Sequence, residues 1–169
     1  MNHQLLRELA QSNQLKDELS RLAYTDRVTN LPNREAFLVE LKMISDMGKY
    51  WVGLIGIDFL KSINDSMGLE YGDQLLRAIG QRLGDLIIPG LRIFKWTGDE
   101  YMVLGYADSE TEIGHQLECC ARAFDSPYEI LGTPVKITRS TGATPLGRHE
   151  TIDSAIKAVN AALHKAKVR

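Results

Sequence analysis

The sequence predicts an α+β fold, an antiparallel-rich central sheet flanked by helices and preceded by an N-terminal linker helix. Three observations carry this. Short apolar runs of strand length alternate with longer segments of helical period, and two of the runs are joined by a tight-turn sequence. The order strand, helix, hairpin, helix, strands, helix stacks helices on an antiparallel sheet. At 169 residues, with 44% hydrophobic and 25% charged, the chain has the size and composition of one globular domain with a short appendage. The division falls after residue 24: a linker or signalling helix over 1–24, and a domain over 25–169.

Residues 2 to 24 are polar and helix-favouring, without Gly or Pro, and Leu15, Leu19 and Leu22 recur at steps of four and three. The register continues back to Leu5 but passes through Glu8 and Ser12, so the seam is broken. Two readings stand, a connecting signalling helix or a helix packed on the domain. Asp26 to Arg34 is turn-rich, and Asn33 is placed to cap a helix over 34–47. Tyr50 to Asp58 is apolar, partly β-branched and too short for a good helix, which predicts a buried central strand ending at Asp58. Leu75, Leu76, Ile79 and Leu83 mark a long amphipathic helix over 69–86.

Leu91 to Lys95 and Tyr101 to Tyr106 read as strands around Thr97-Gly98-Asp99-Glu100, whose Gly and Asp suit a hairpin turn. A helix follows over 109–125. Tyr128 to Ile130 and Val135 to Ala143 read as strands on either side of Leu131-Gly132-Thr133-Pro134, and the Ala-rich segment 152–167 closes as a helix.

A formal charge of -2 provides no field to hold a nucleic-acid backbone, so an anionic ligand must be met by local groups, and a small nucleotide suits this chain better than DNA. The two cysteines, Cys119 and Cys120, are adjacent within a helical pattern; this fits neither a disulfide framework nor a spaced zinc motif and predicts a reducing compartment. No stretch approaches the roughly 20 apolar residues of a membrane span, and no signal-peptide pattern opens the chain. The expectation is a cytoplasmic piece without direct membrane contact, whose longer parent is free to carry an anchor.

Asp58, Asp99 and Glu100 fall at predicted strand ends. If the first strand lies beside the hairpin, these carboxylates converge at one sheet edge, where hard oxygen ligands suit magnesium carrying nucleotide phosphates. Turns also favour Asp and Gly for backbone reasons alone. Phe59 to Asp65 follows the first strand, and its backbone N–H groups with Lys61 are placed to hold phosphates. Asn64 and Asp73 carry the donors and acceptors that read a guanine edge. As local chemistry, Asn64 serves equally as a cap and Asp73 as a solvated charge.

Four blocks in register resemble the GGDEF (diguanylate cyclase) family, over a match running from about Leu22 to the last residue. Asp26 to Arg34 is similar to D-x-L-T-G-L-x-N-R, with Val28 for Leu and Asn30 for Gly. Ile57 to Asp65, continuing to Gly68 and Gly72-Asp73, is similar to D-x-D-x-F-K-x-x-N-D-x-x-G-H-x-x-G-D. Lys95-Trp96-Thr97-Gly98-Asp99-Glu100-Tyr101 resembles R-x-G-G-D-E-F, and Ala161 to Lys167 resembles the closing A-L-Y-x-A-K helix.

The resemblance implies a nucleotide-cyclase, palm-like fold. It also implies that Asn64 and Asp73 read the guanine of GTP, and that Phe59, Leu60 and Lys61 face its phosphates. Gly98 lies against the nucleotide, and Lys167 reaches the terminal phosphates. The resemblance puts Asp99 and Glu100 at the catalytic positions, with Mg2+ on Asp99; Asp58 is a further candidate ligand from its place at the strand end, not from the resemblance. Active members meet face to face as a homodimer, each domain contributing one GTP, and the 3′-hydroxyl of one attacks the α-phosphate of the other.

Several departures stand against this pattern. The family's first strand-end aspartate, which holds both metals, aligns with Gly56, and Asp58 starts about 6.6 Å further along the strand. Thr97 replaces the first signature glycine, adding a Cβ where a positive φ is expected. Lys95 replaces an arginine and its forked donors. Ile88-Pro89-Gly90-Leu91 stands where many active cyclases carry an R-x-x-D inhibition site, and the Gly-Arg that follows the family's last helix is not in this sequence. The end on the closing helix is what excision from a longer protein would give.

The resulting expectation is a catalytically impaired domain that binds GTP or serves as a regulatory, dimerising module, beside an EAL phosphodiesterase domain in the parent. The alternatives are a weak diguanylate cyclase using Asp58 and Asp99, and a structural module without nucleotide.

Overall fold

The computed structural model describes residues 2–167. Its centre is a four-stranded antiparallel sheet in the order β2-β3-β1-β6, formed by β1 (Tyr50–Ile57), β2 (Leu91–Thr97), β3 (Glu100–Tyr106) and β6 (Arg139–Pro145). The helices are α1 (Asn2–Tyr24), α2 (Arg34–Met43), α3 (Leu60–Met67), α4 (Leu69–Gly84), α5 (Glu110–Ala121) and α6 (Ile152–Lys167). A separate two-stranded ribbon joins β4 (Tyr128–Ile130) to β5 (Thr133–Val135). The predicted α+β class is the observed one.

β1 is apolar on both faces because both are covered. Trp51, Ile55 and Ile57 pack with Leu75, Ile79 and Leu83 of α4 and with Phe124, while Val52 and Leu54 pack with Phe37 and Leu41 of α2 and Val159 and Leu163 of α6. The period-two alternation of a strand therefore places Gly56 on the face covered by α6. Trp51 is fully buried, yet its indole N–H donates to Gln116 Oε1 at 2.7 Å, so its polar edge is satisfied. On the opposite face the Phe37 ring meets Phe94 and Trp96 edge-on, each with centroids 5.3 Å apart.

The close packing of α6 depends on glycine. A Cβ on Gly142 of β6 would lie 2.7 Å from the Leu163 backbone nitrogen and 2.9 Å from the Ala162 Cβ. With hydrogen there instead, the helix lies directly on the sheet and its last turn reaches the sheet edge.

Several boundaries differ from the sequence reading. α2 stops at Met43 rather than at 47, and a 3-10 turn over Met47–Lys49 leads into β1. β1 ends at Ile57, with Asp58 in the turn; α4 ends at Gly84, and α5 at Ala121 before a 3-10 turn. The segment 59–65, read as a phosphate-facing connection, is largely helix α3. The strand expected over 135–143 is two: β5 pairs only with β4, and β6 begins at Arg139 to pair with β1. The break reflects two different partners for one extended stretch, which the alternation of its side chains does not reveal.

α1 contains no buried residue, and Leu5, Leu6, Leu9, Leu15, Leu19 and Leu22 are all exposed. Its exit is held firmly. Thr25 forms a bridge with Pro32, the Asn33 side-chain amide donates to Ala23 O at 2.9 Å and the Asn33 backbone N–H to Tyr24 O at 3.0 Å. Asn33 Oδ1 accepts from the Ala36 N–H, the predicted cap, which contributes about 1 kcal/mol. Asn30 takes φ 62°, the left-handed turn for which an asparagine is well suited. Pro32 O then accepts from the Lys95 backbone N–H at 2.8 Å, tying this loop to β2.

Candidate functional site

The antiparallel register β1·β3 sets Gly56 opposite Glu100, and the Ile57 N–H donates to Asp99 O at 2.9 Å. The end of β1 and the turn between β2 and β3 thus form one edge, as the sequence reading required. α3 opens from the same edge, and α4 follows it across Gly68.

Lys167, on the last turn of α6, fills the space beside Gly56. A Cβ built on Gly56 would lie 2.8 Å from Lys167 Cε and 3.1 Å from its Nζ. That ammonium donates to Asp99 Oδ2 at 2.9 Å. The other two acids are also engaged. Ser140 Oγ, on the β6 residue paired with Gly56, donates to Asp58 Oδ1 at 2.8 Å, and the Thr97 hydroxyl donates to Glu100 Oε1. Asp58 therefore leans toward β6, on the far side of β1 from the hairpin that carries Asp99. Lys167, Thr97 and Ser140 each supply one of these contacts; the role of Ser140 was missed in the sequence, which gives no local sign that it faces Asp58.

This arrangement does not fit the pair of magnesium ions implied by the family resemblance. The position for the shared ligand is glycine, its space holds a cation, and Asp99 is already neutralised. Among the described residues no group of three or more His, Cys, Asp or Glu side chains is clustered to hold a metal ion.

Thr97 occupies the end of β2 without a positive φ, and Gly98 likewise has none, so the threonine is accommodated without the backbone strain expected for it. A Cβ on Gly98 would meet nothing within 4 Å, which leaves the outer side of the turn open. Lys95 is buried, and its ammonium donates to Thr97 O and, at 3.0 Å, to Gly98 O. A single ammonium thus braces the turn where the family's arginine would offer a fork. Burial pushes the Lys95 pKa down; Asp26, Asp99, Glu100 and Asp73 oppose this by favouring its charge.

Asn64 and Asp73 lie on α3 and α4, both partly exposed. Asn64 Oδ1 is buried without a hydrogen-bond partner, and it rests against Gly72, whose Cβ would stand 1.7 Å from it. An unpaired amide oxygen is costly, and a ligand N–H would satisfy it. Phe59 precedes α3 in the left-handed region at φ 64° and is 76% exposed. Its ring and the Lys61 side chain face outward, while Leu60 turns into the core and has only its backbone N–H to offer a ligand. The first amides of α3 have no side-chain cap.

The profile described as "Diguanylate cyclase, GGDEF domain" matches residues 23–169. Diguanylate cyclase DgcP of Pseudomonas aeruginosa is 32% identical over 160 residues, covering 90% of this chain and 24% of that protein. The chain thus spans about a quarter of that relative. Among solved structures, the coiled coil and GGDEF domain of DgcB from Caulobacter crescentus, in complex with c-di-GMP, superposes with TM-score 0.79 at 24% identity, covering 99% of this chain and 94% of that one. The Vibrio cholerae LapD S helix-GGDEF-EAL structure, bound to c-di-GMP, gives TM-score 0.78 at 24% identity, covering 95% of this chain and 38% of that one. Two such likenesses speak for the fold, and the profile match over nearly the whole chain goes further: this chain belongs to the GGDEF domain family of cyclic di-GMP signalling.

Proposed function

We propose that this domain binds GTP without joining two molecules of it into cyclic di-GMP, and serves as a regulatory or dimerising module of a cytoplasmic signalling protein. One observation carries the reading: the Lys167 ammonium, paired with Asp99, fills the space beside Gly56 where the family places a metal-binding carboxylate. The base-reading side remains equipped, with Asn64 Oδ1 unpaired, Asp73 nearby in the fold and the uncapped start of α3 at the phosphate side. α1 would then act as the input helix, and a homodimer is the expected assembly. The likeness to a chain that includes an EAL segment supports an EAL phosphodiesterase domain as neighbour in the parent.

The second reading, a weak diguanylate cyclase, draws on Asp99 and Glu100 in the signature turn and Asp58 at the end of β1. Calorimetric titration of GTP, followed by chromatographic assay of the same sample for cyclic di-GMP, separates the two. Binding without product supports the regulatory reading. Product that disappears in Asp99→Ala overturns it in favour of the cyclase, and absence of binding at millimolar GTP leaves a structural module.

A further inference from the structure

The cation at this edge is part of the chain. We infer that Lys167 stands in for a divalent metal ion: its ammonium neutralises Asp99 and receives the nucleotide's phosphate oxygens, so that GTP binding requires no metal. This rests on the GTP-binding reading above and on the lysine–phosphate contact that the family resemblance implies, and adds that the lysine takes the place of the metal at Asp99.

Three features of the fold lead here. Gly142 lets α6 lie against β6 closely enough for its last turn to reach the sheet edge. Gly56 leaves the space that the end of the lysine occupies, since its Cβ would stand 2.8 Å from Lys167 Cε. A carboxylate at position 56 and the lysine in its present place are mutually exclusive. Asp99 then fixes the ammonium at 2.9 Å.

The chemistry follows from the donor set. An ammonium has three N–H donors and no acceptor. One goes to Asp99, and the others are the donors for a phosphate. A magnesium ion would bind Asp99 at about 2.0–2.1 Å from oxygen. It would have to displace the lysine from that oxygen or sit beside a like charge. The pair Asp99–Lys167 has no net charge, so it does not repel an incoming polyphosphate as an unpaired carboxylate would. Lys61 and the uncapped amides of α3 lie on the strand-end side of the same edge. The ligand class is a guanosine polyphosphate, with base contacts from Asn64 and Asp73 and phosphate contacts from the chain's own cation.

The test is titration of GTP into the full chain by calorimetry in EDTA and in magnesium chloride, for the wild type, Lys167→Met and Lys167→Arg. The wild type should bind GTP in EDTA within twofold of its affinity in magnesium. Lys167→Met should lose at least tenfold in EDTA, and Lys167→Arg should retain most of the affinity because it keeps the charge. Circular dichroism verifies that each variant is folded. If EDTA weakens wild-type binding tenfold or more, or if Lys167→Met binds as the wild type does, the substitution of lysine for metal is wrong while GTP binding itself stands. Absence of binding in both buffers overturns the GTP-binding reading and this inference with it.

Discussion

Asn64 and Gly72 interlock: a Cβ on Gly72 would stand 1.7 Å from Asn64 Oδ1 and 2.9 Å from its Cγ. The glycine is therefore what allows the amide to lie where it does. In Gly72→Ala the flexible Asn64 side chain must turn away, while the helix gains up to about 1 kcal/mol in propensity. We predict that GTP affinity falls at least tenfold by calorimetry, whereas the urea-unfolding free energy changes by less than about 1 kcal/mol. Unchanged affinity would show that Asn64 does not read the base.

Phe59 supplies the opposite combination. A non-glycine residue in the left-handed region costs roughly 1–2 kcal/mol, and this ring, 76% exposed, has little burial to offset it. Phe59→Gly should stabilise the domain by about 0.5–1 kcal/mol after the entropy lost on ordering glycine. GTP affinity should fall severalfold, because the start of α3 is less fixed. Urea denaturation and titration read both; a loss of stability would mean that the ring packs more than its exposure indicates.

Gly56→Asp reintroduces the missing carboxylate. The atoms it meets first are the far end of Lys167, which can swing away at small cost. The expected result is a metal requirement that the wild type lacks: GTP binding by the variant should strengthen with magnesium and weaken in EDTA. Equal affinity in both buffers would show that the carboxylate is insufficient to create a metal site.

The alkaline limit has a calculable sign. Burial pushes Cys120 from 9.0 to about 12 and Tyr128 from 10.0 to about 12, and raises Tyr101 as well. The folded chain holds these protons longer than the unfolded chain, so the stability they contribute is complete below pH 9 and declines as pH climbs toward 12. Lys95, with its pKa lowered, works the other way, adding stability as pH rises toward 10.5. The urea midpoint should fall above pH 9, and Cys120→Ala should delay the start of that fall. A midpoint that rises steadily to pH 11 would contradict this balance, in which the three buried acids outweigh Lys95.

The architecture was legible because its cues are local. The apolar run ending near Asp58, the Gly-Asp turn and the leucine spacing of α4 each fix an element from within its own residues. The site was legible only in part. Gly56 announces a missing ligand, but what fills the space lies more than a hundred residues away on α6, and helical periodicity does not reveal where a flexible lysine ends. The Thr97–Glu100 and Ser140–Asp58 contacts are likewise tertiary products. For Thr97 the sequence pointed to strain, whereas the backbone there is relaxed and its hydroxyl is used.

The exit of α1 has a mechanical meaning. The 23 residues of the helix make a rod of about 34 Å. Its base is pinned through Asn33 and the Thr25–Pro32 bridge, and Pro32 is bonded to Lys95, two residues before the signature turn begins. On the proposed reading of α1 as an input helix, torque applied at the far tip of the rod would reach the edge that carries Asp99 through these short links. Two glycines inserted after Tyr24 act as a slipping clutch: the hinge would leave the body folded, as thermal melting would verify, and free the turn from whatever twists the shaft.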